Sequence, residues 1–463
     1  MDSAVNGTVL DQFAPTGKKA PPRSGFARPP GLKPVRSARV ITSIHPVTER
    51  TALERFIQSQ AINTARHTAA LRPFQRREFG KSNAAPSEAH IKAANKMILS
   101  LRRNLENLSG ELSEAAHHDG QPANLDRLLS TKERAGSTVK FIEKVWNFFF
   151  ELFGQRQTRY AKWLLAADRI ALDCYGVVYT GLGRPRSIPS PAPFSYMQTE
   201  LTPSTFRRGV RLSRLGSLAN PFPIVQLPYH RLVNPWTLGA IHHEVSHNIQ
   251  SDLGLWEIVP RRIFSRLSRA GIDPMTARTW SRWHKEIWAD LCGTLLGGPA
   301  VVTSLLDVVA GSTASTLGYS PAGVHPTPYL RTFISLELVR RMGFPAEAQA
   351  YRKMWQRLYP SPEQSRIPRP MLASFGKAAP LVVDTICYQP YEQLGGKNLA
   401  QVAGFKPGHQ QMIQEAAGRL SAGDDPGILP ARYLVGATRW AIDRRLAPTE
   451  RIVRNFYQAL AER

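Results

Sequence analysis

The residues of this chain best suited to chemistry form the run His-Glu-Val-Ser-His at positions 243–247. Residues four apart on a helix lie one turn apart on the same face, so the imidazoles of His243 and His247 can converge on one metal ion. Glu244 would lie beside that face, where a carboxylate can accept a proton from an activated water without occupying a coordination position. The run therefore predicts a site for Zn²⁺ with two histidine ligands and Glu244 as the general base.

Helix signals on both sides of the run indicate how it is positioned. The pair Asn234-Pro235 is typical of a helix start, and Gly254 is typical of a helix stop. Between them an apolar stripe recurs at steps of three and four, opposite the two histidines: Leu238, Ile241, Val245, Ile249 and Leu253. We expect one helix of roughly five turns that buries the stripe and presents the histidines to the site.

A second predicted helix carries the third ligand. Asp273-Pro274 predicts its start, and residues 297–299 (Gly-Gly-Pro) predict its end. Glu286 and Asp290 lie one turn apart on one flank of this helix. Glu286 would complete a set of three nitrogen and oxygen ligands and leave the fourth tetrahedral position open for water.

The two predicted helices together resemble the gluzincin pattern of thermolysin-like and related zinc peptidases. The resemblance rests on His-Glu-x-x-His followed by Glu-Ile-Trp-Ala-Asp at 286–290, and it covers about residues 220–335. It implies that Glu286 binds zinc and that Asp290 orients His243 by accepting a hydrogen bond from its second ring nitrogen. Leu253 stands where the metzincin pattern requires a third histidine, which excludes that class.

A later segment is a second point of similarity. His325-Pro326 with Arg331 beyond it is similar to the membrane peptidases of the gluzincin clan. His325, Tyr329 and Arg331 are therefore candidates for a donor beside the oxyanion that forms when water attacks a carbonyl, with Arg331 assigned to the shell around the ligands. The alternative for His325, which precedes a proline at a loop-to-helix junction, is a local capping or packing role.

The segment Asn220–Leu227 is β-prone, and its prolines predict a strand at the edge of a small sheet. Such an edge can bind an extended substrate backbone by strand addition. The alternative is an ordinary edge strand that packs Phe222 into the core.

Composition limits the classes of partner and compartment. The formal charge of +25 favours an acidic partner or an anionic surface, but no recognition motif accompanies it, so nucleic acid is not expected as the main partner. The three cysteines form no CxxC pair, which argues against a disulfide framework and a thiolate zinc site. No apolar run is long enough for a transmembrane helix and no secretory signal opens the chain, so we expect a cytoplasmic protein.

The chain divides by pattern into four regions. Residues 1–50 have the composition of a disordered basic tail, either passive or an address, and residues 51–183 form a helical region. Residues 184–345 are the zincin-like catalytic region, which opens with a proline-rich linker or ordered crossing loop, and residues 346–463 are a C-terminal helical region. Apolar stripes in 91–112 and 139–153 predict antiparallel helices, with a coiled-coil dimer as the alternative.

The expected fold class is mainly α, an α+β zincin-like fold with a small sheet whose edge strand precedes the metal helix. The expected function is that of a zinc-dependent metallopeptidase acting on a peptide or protein substrate. Three alternatives remain at this point. They are a zinc hydrolase of a non-peptide amide, a non-catalytic zincin-fold binding or regulatory protein, and a basic nucleic-acid-associated protein with a fortuitous motif.

Overall fold

The computed structural model describes residues 47–115, 122–183, 185–216 and 218–463. The predicted tail, residues 1–50, lies outside these ranges except for its last four residues, and the first helix already begins at Glu49. Residues 53–463 form one compact unit, so the regions predicted at 51–183, 184–345 and 346–463 are parts of one body.

The described residues are mainly helical, as expected, with a small sheet. The α-helices are α1 (Glu49–Ala70), α2 (Glu88–Ala115), α3 (Pro122–Gly154), α4 (Ala161–Gly181), α5 (Tyr229–Val233), α6 (Gly239–Asp252), α7 (Ile258–Arg269), α8 (Pro274–Arg282), α9 (His284–Gly297), α10 (Pro299–Val309), α11 (Thr313–Thr316), α12 (Pro328–Arg341), α13 (Pro345–Leu358), α14 (Arg369–Cys387), α15 (Leu399–Ala403), α16 (Pro407–Ala422), α17 (Leu434–Asp443) and α18 (Thr449–Glu462). The strands are β1 (Phe194–Gln198), β2 (Ser204–Phe206) and β3 (Ile224–Pro228).

Helices α2 and α3 form the antiparallel pair that the apolar stripes predict. The C-terminal half of α2 shares a core with the N-terminal half of α3, through Leu105 and Leu112 on one side and Leu128 on the other. The start of α2 shares a second core with the end of α3, where Ile98 lies with Phe149. The reversed order of these contacts means that the stripes pair within one chain.

The sheet separates two cores. Its strand order is β1-β3-β2, with β1 parallel and β2 antiparallel to β3. Because side chains alternate along a strand, Phe194, Tyr196 and Ile224 face the core of α2 and α3, whereas Val225 and Leu227 face the main core. The sheet is therefore buried on both faces.

The prediction that the strand before the metal helix is an edge strand is wrong. That strand is β3, the central strand of the sheet. Pro221 and Pro223 precede β3, and Pro228 is its last residue, so no proline interrupts the ladder between them. The edge strand that contacts α6 is β2, where the hydroxyl of Thr205 accepts a hydrogen bond from the side-chain amide of Asn248 at 2.7 Å.

The proline-rich stretch is an ordered crossing loop. The guanidinium of Arg208 donates hydrogen bonds to the carbonyl oxygens of Pro189, Ser190 and Pro191 at 2.7–3.3 Å. A fourth bond reaches the carbonyl of Pro221 at 3.0 Å, which ties the loop to the segment before β3.

The main core surrounds α6 and α9 and continues to the C-terminus, from Leu164 to Leu460. Asp173 on α4 links the C-terminal region to this core, since its carboxylate accepts hydrogen bonds from the backbone and the guanidinium of Arg432 at 2.9–3.0 Å. Within the described ranges, every helix is too short or too polar to cross a membrane.

Candidate metal centre

Helix α6 carries the two histidines and buries the predicted stripe. Each of the five stripe residues is 3 % exposed or less, while His243 and His247 project from the opposite side. The helix begins at Gly239 and not at Pro235 as predicted, because residues 235–237 form a separate 3-10 turn. Asn234 does not cap α6, since its side-chain amide donates to the carbonyl of His230 at 3.1 Å.

Helix α9 carries Glu286 and Asp290. The expected single helix from Asp273 to Gly297 is divided at Trp283 into α8 and α9. Asp273 caps α8 as predicted, because its carboxylate accepts from the backbone N–H of Thr276 at 2.8 Å.

A glycine allows the two site helices to approach closely. A Cβ atom at Gly293 on α9 would lie 3.2 Å from backbone atoms of His242 and His243 on α6. That distance is tighter than ordinary van der Waals contact, so a larger residue would push the helices apart. Gly293 therefore helps to bring the carboxylates of α9 against the histidines of α6.

The side chains of the three predicted ligands lie close together, with one candidate ligand atom from each within 4.8 Å of the others. The Nε2 atoms of His243 and His247 are 3.1 Å apart. Oε2 of Glu286 lies 3.4 Å from Nε2 of His243, and Oε1 lies 3.5 Å from Nε2 of His247. For a tetrahedral ion with bonds of about 2.0–2.1 Å, ligand atoms are separated by about 3.3 Å. The three side chains are therefore close enough together to hold one metal ion, with the two distances to Glu286 measured to different carboxylate oxygens.

Asp290 and Arg331 form the shell around the ligands. Asp290 Oδ1 lies 2.8 Å from Nδ1 of His243, which leaves Nε2 free to face the metal position. The guanidinium of Arg331 donates to both oxygens of Asp290, at 2.5 and 2.9 Å, and lies 3.3 Å from Oε2 of Glu286. Burial acts to raise the pKa of Asp290, but the charge of Arg331 and the hydrogen bond with His243 outweigh it, so this pKa is lowered.

Glu244 lines the same cavity as the ligands and is 7 % exposed. Burial raises the pKa of Glu244 to about 7. A carboxyl group with a pKa near neutrality can both accept and release a proton at that pH, which suits a general acid–base role.

The structure separates the two predicted oxyanion donors. His325 lies at the cavity mouth, with a side chain 64 % exposed and Nε2 3.4 Å from Oε1 of Glu286. Tyr329 does not line the cavity; its ring packs on Phe333 with the centroids 4.9 Å apart. Tyr329 therefore lies outside the cavity, whereas His325 borders it.

The cavity has a volume of about 370 Å³ and walls of three kinds. Residues 202–205 at the edge strand β2 form one wall, and apolar side chains of α10 form another, among them Val301, Leu305 and Val308. The third wall contains residues that sequence reasoning missed: Arg207, Trp256 and Lys285. Lys285 directly precedes the predicted ligand Glu286, and this position could have indicated that it lies near the site. No local sequence pattern distinguishes Arg207 or Trp256.

Comparisons of the chain with protein-family models, with curated proteins and with solved structures found no match. The resemblance to gluzincins therefore rests on the sequence motifs at residues 243–247 and 286–290.

Proposed function

We propose that this protein is a zinc-dependent metallopeptidase of the gluzincin type. The observation that carries the proposal is the cluster of His243, His247 and Glu286, in which the two Nε2 atoms are 3.1 Å apart and each lies 3.4–3.5 Å from a different oxygen of Glu286. Two nitrogens and a carboxylate are ligands that zinc prefers, and they leave the fourth position open to the cavity. Glu244 lies in that same cavity.

The mechanism assigns separate tasks to the residues of the site. A zinc ion held by the three ligands would polarise the scissile carbonyl and lower the pKa of water for attack. Glu244 accepts the proton of the attacking water and delivers it to the leaving nitrogen. Asp290 holds His243 in the orientation and tautomer that keep Nε2 available.

His325 is the candidate donor to the developing oxyanion. Its exposed ring borders the cavity, with Nε2 3.4 Å from Oε1 of Glu286, so we infer that it donates to the carbonyl of a peptide bound there. The guanidinium of Arg331, by contrast, is engaged by Asp290 and Glu286 and keeps a positioning role.

The edge strand β2 supports a peptide as the substrate in preference to a small non-peptide amide. Within the described residues β2 pairs only with β3, so its other edge can pair with an extended chain. Thr202 to Thr205 line the cavity that contains Glu244 and the ligands. A peptide paired with β2 would therefore run past the site.

The test compares the wild type with Glu244→Gln, measuring zinc per chain and cleavage of a mixed peptide library. We expect one zinc per chain in both proteins, and cleavage reduced by about 10²–10⁴-fold in the variant because the general base is lost. The matched control is Glu415→Gln, since Glu415 is exposed and does not line the cavity. It should leave zinc content and cleavage unchanged.

Two results would contradict the proposal. A wild-type protein that does not bind zinc would overturn the metal site, as would full zinc retention in Glu286→Ala. Stoichiometric zinc without cleavage of any peptide would favour a non-catalytic binding protein.

His325→Ala tests the oxyanion role separately. We expect unchanged zinc content and a fall in kcat of about 10²–10³-fold, as for the loss of one oxyanion donor. Tyr329→Phe is the matched control and should keep its kcat, because Tyr329 lies outside the cavity. An equal fall in both variants would contradict the assignment.

A further inference from the structure

The third wall of the cavity holds two cations on one aromatic ring. Cζ of Arg207 lies 3.7 Å from the centroid of the Trp256 ring, and Nζ of Lys285 lies 4.3 Å from the same centroid. Both charges are therefore within about 8 Å of each other, where two like charges repel. Contact with the ring favours each cation but does not neutralise it.

Neither cation forms an ion pair among the residues that the structure describes, although Glu286 and Glu257 act on Lys285 at longer range. Arg207 donates a hydrogen bond to the hydroxyl of Ser251 at 3.3 Å, and no carboxylate oxygen lies within 4.0 Å of Arg207 or Lys285 in these residues. Both side chains are half-buried and line the cavity. A pair of cations in such a place is usually met by an anion, because burial of uncompensated charge is unfavourable.

The carboxylates of the metal centre do not provide that anion. Asp290 and Glu286 are engaged with Arg331 and the histidines. With a divalent ion bound, as the proposed function requires, the ion and Arg331 together balance the carboxylates of Glu244, Glu286 and Asp290. Arg207 and Lys285 then leave an excess of positive charge at one end of the cavity.

We propose that Arg207 and Lys285, held on Trp256, bind a carboxylate of the substrate next to the metal centre. This inference rests on the proposed function and specifies its substrate class: peptides that carry an acidic side chain or a free C-terminal carboxylate close to the scissile bond. Lys285 is the chain neighbour of the ligand Glu286, and Arg207 directly follows the edge strand β2. A peptide paired with β2 would thus bring its carboxylate to both cations.

The experiment uses blocked pentapeptides that differ only by Asp or Asn at one position, and a matched pair with a free or amidated C-terminus. Binding is measured by calorimetry with zinc-loaded Glu244→Gln, which retains the peptide, and cleavage is measured with the wild type. We expect the acidic peptide to bind about 10- to 100-fold more tightly than its amide counterpart, as for a charged hydrogen bond. A preference for Asp over Asn indicates that the site binds a side-chain carboxylate. A preference for the free over the amidated C-terminus indicates that it binds a terminal carboxylate.

The variants Arg207→Gln and Lys285→Gln, each on the Glu244→Gln background, should lower the preference, and the double variant should abolish it. Lys285→Arg should retain it, since the charge remains. Arg357→Gln and Lys377→Gln are matched controls, because both residues are exposed and lie outside the cavity. Zinc content and the unfolding midpoint of each variant show whether the site is intact.

The two proposals fail in distinguishable ways. Cleavage with equal binding of acidic and amide peptides would overturn the carboxylate site and leave the peptidase. Tighter binding of acidic peptides without any cleavage would support the carboxylate site and contradict the peptidase. A preference that persists in the double variant, or no binding of any peptide, would overturn the carboxylate site.

Discussion

Replacing Asp290 with asparagine removes one negative charge from a buried ion pair and keeps the size of the side chain. Asp290 and Arg331 are 4 % and 11 % exposed, and their closest atoms are 2.5 Å apart. Removal of one partner from a buried pair costs about 3–5 kcal/mol, because the other charge stays buried. Glu286 remains 3.3 Å from Arg331 and offsets part of that loss, so we expect a value near the lower limit.

The same substitution weakens the orientation of His243. Loss of such an acceptor commonly lowers metal affinity by about 10–100-fold. Stability is measured by urea unfolding of the chelator-treated protein, and zinc affinity by competition with a fluorescent chelator. The two measurements separate the cost to the fold from the cost to the ligand set.

Asp307→Asn is the matched control for Asp290→Asn. Asp307 pairs with Arg439 at 2.8 Å, but its side chain is 35 % exposed, so solvent screens the pair. We expect a loss below about 1 kcal/mol and unchanged zinc affinity. If Asp290→Asn matches this control in both stability and zinc affinity, the reasoning about the buried pair is refuted.

Two further predictions concern packing and the link to the C-terminal region. Gly293→Ala should lower the free energy of unfolding in urea by about 1–3 kcal/mol and weaken zinc binding, because the added Cβ meets the backbone of α6. The control Gly376→Ala should be neutral or stabilising, because a Cβ at Gly376 has nothing within 4 Å. Equal midpoints for the two variants would contradict the close-approach argument. Asp173→Ala should lower the free energy of unfolding by about 1.5–3 kcal/mol, because its hydrogen bonds with Arg432 are lost. The control Asp443→Ala should cost much less, because Asp443 is exposed. A larger loss in Asp443→Ala would contradict the stabilising role of the pair between Asp173 and Arg432.

The faces of the site helices were predictable from the sequence because periodicity is a local property. The stripe on α6 fixes the opposite direction of His243 and His247, and the one-turn spacing on α9 puts Glu286 and Asp290 on one side. That the histidines of α6 lie against Glu286 of α9 was expected only from the resemblance to gluzincins. The structure gives the distances between these side chains.

Helix boundaries were less predictable, since they depend on which hydrogen-bond partners the side chains find in the folded protein. Asn is a residue type that commonly caps helices, but the side-chain amide of Asn234 donates a hydrogen bond to the carbonyl of His230 instead. The break at Trp283 carries no proline or glycine, and backbone hydrogen bonds continue on both sides of it, from Trp283 to Thr279 and from Ile287 to Trp283. No local pattern marks such a break.

Strand order and the third cavity wall were not predictable for the same reason. Prolines near β3 indicated an edge, but only the pairing with β1 and β2 shows that the strand is central. Arg207, Trp256 and Lys285 come from three separate segments, so their contact exists only in the folded chain.

Arg331 links helix α12 to both helices of the candidate site. Its guanidinium donates to Asp290 on α9, lies 3.3 Å from Oε2 of Glu286, and lies 3.4 Å from both ring nitrogens of His243 on α6. One side chain of α12 therefore contacts groups on α6 and on α9 at the same time. A substitution that displaces α12, even far from the cavity, should change the separation of His243 and Glu286.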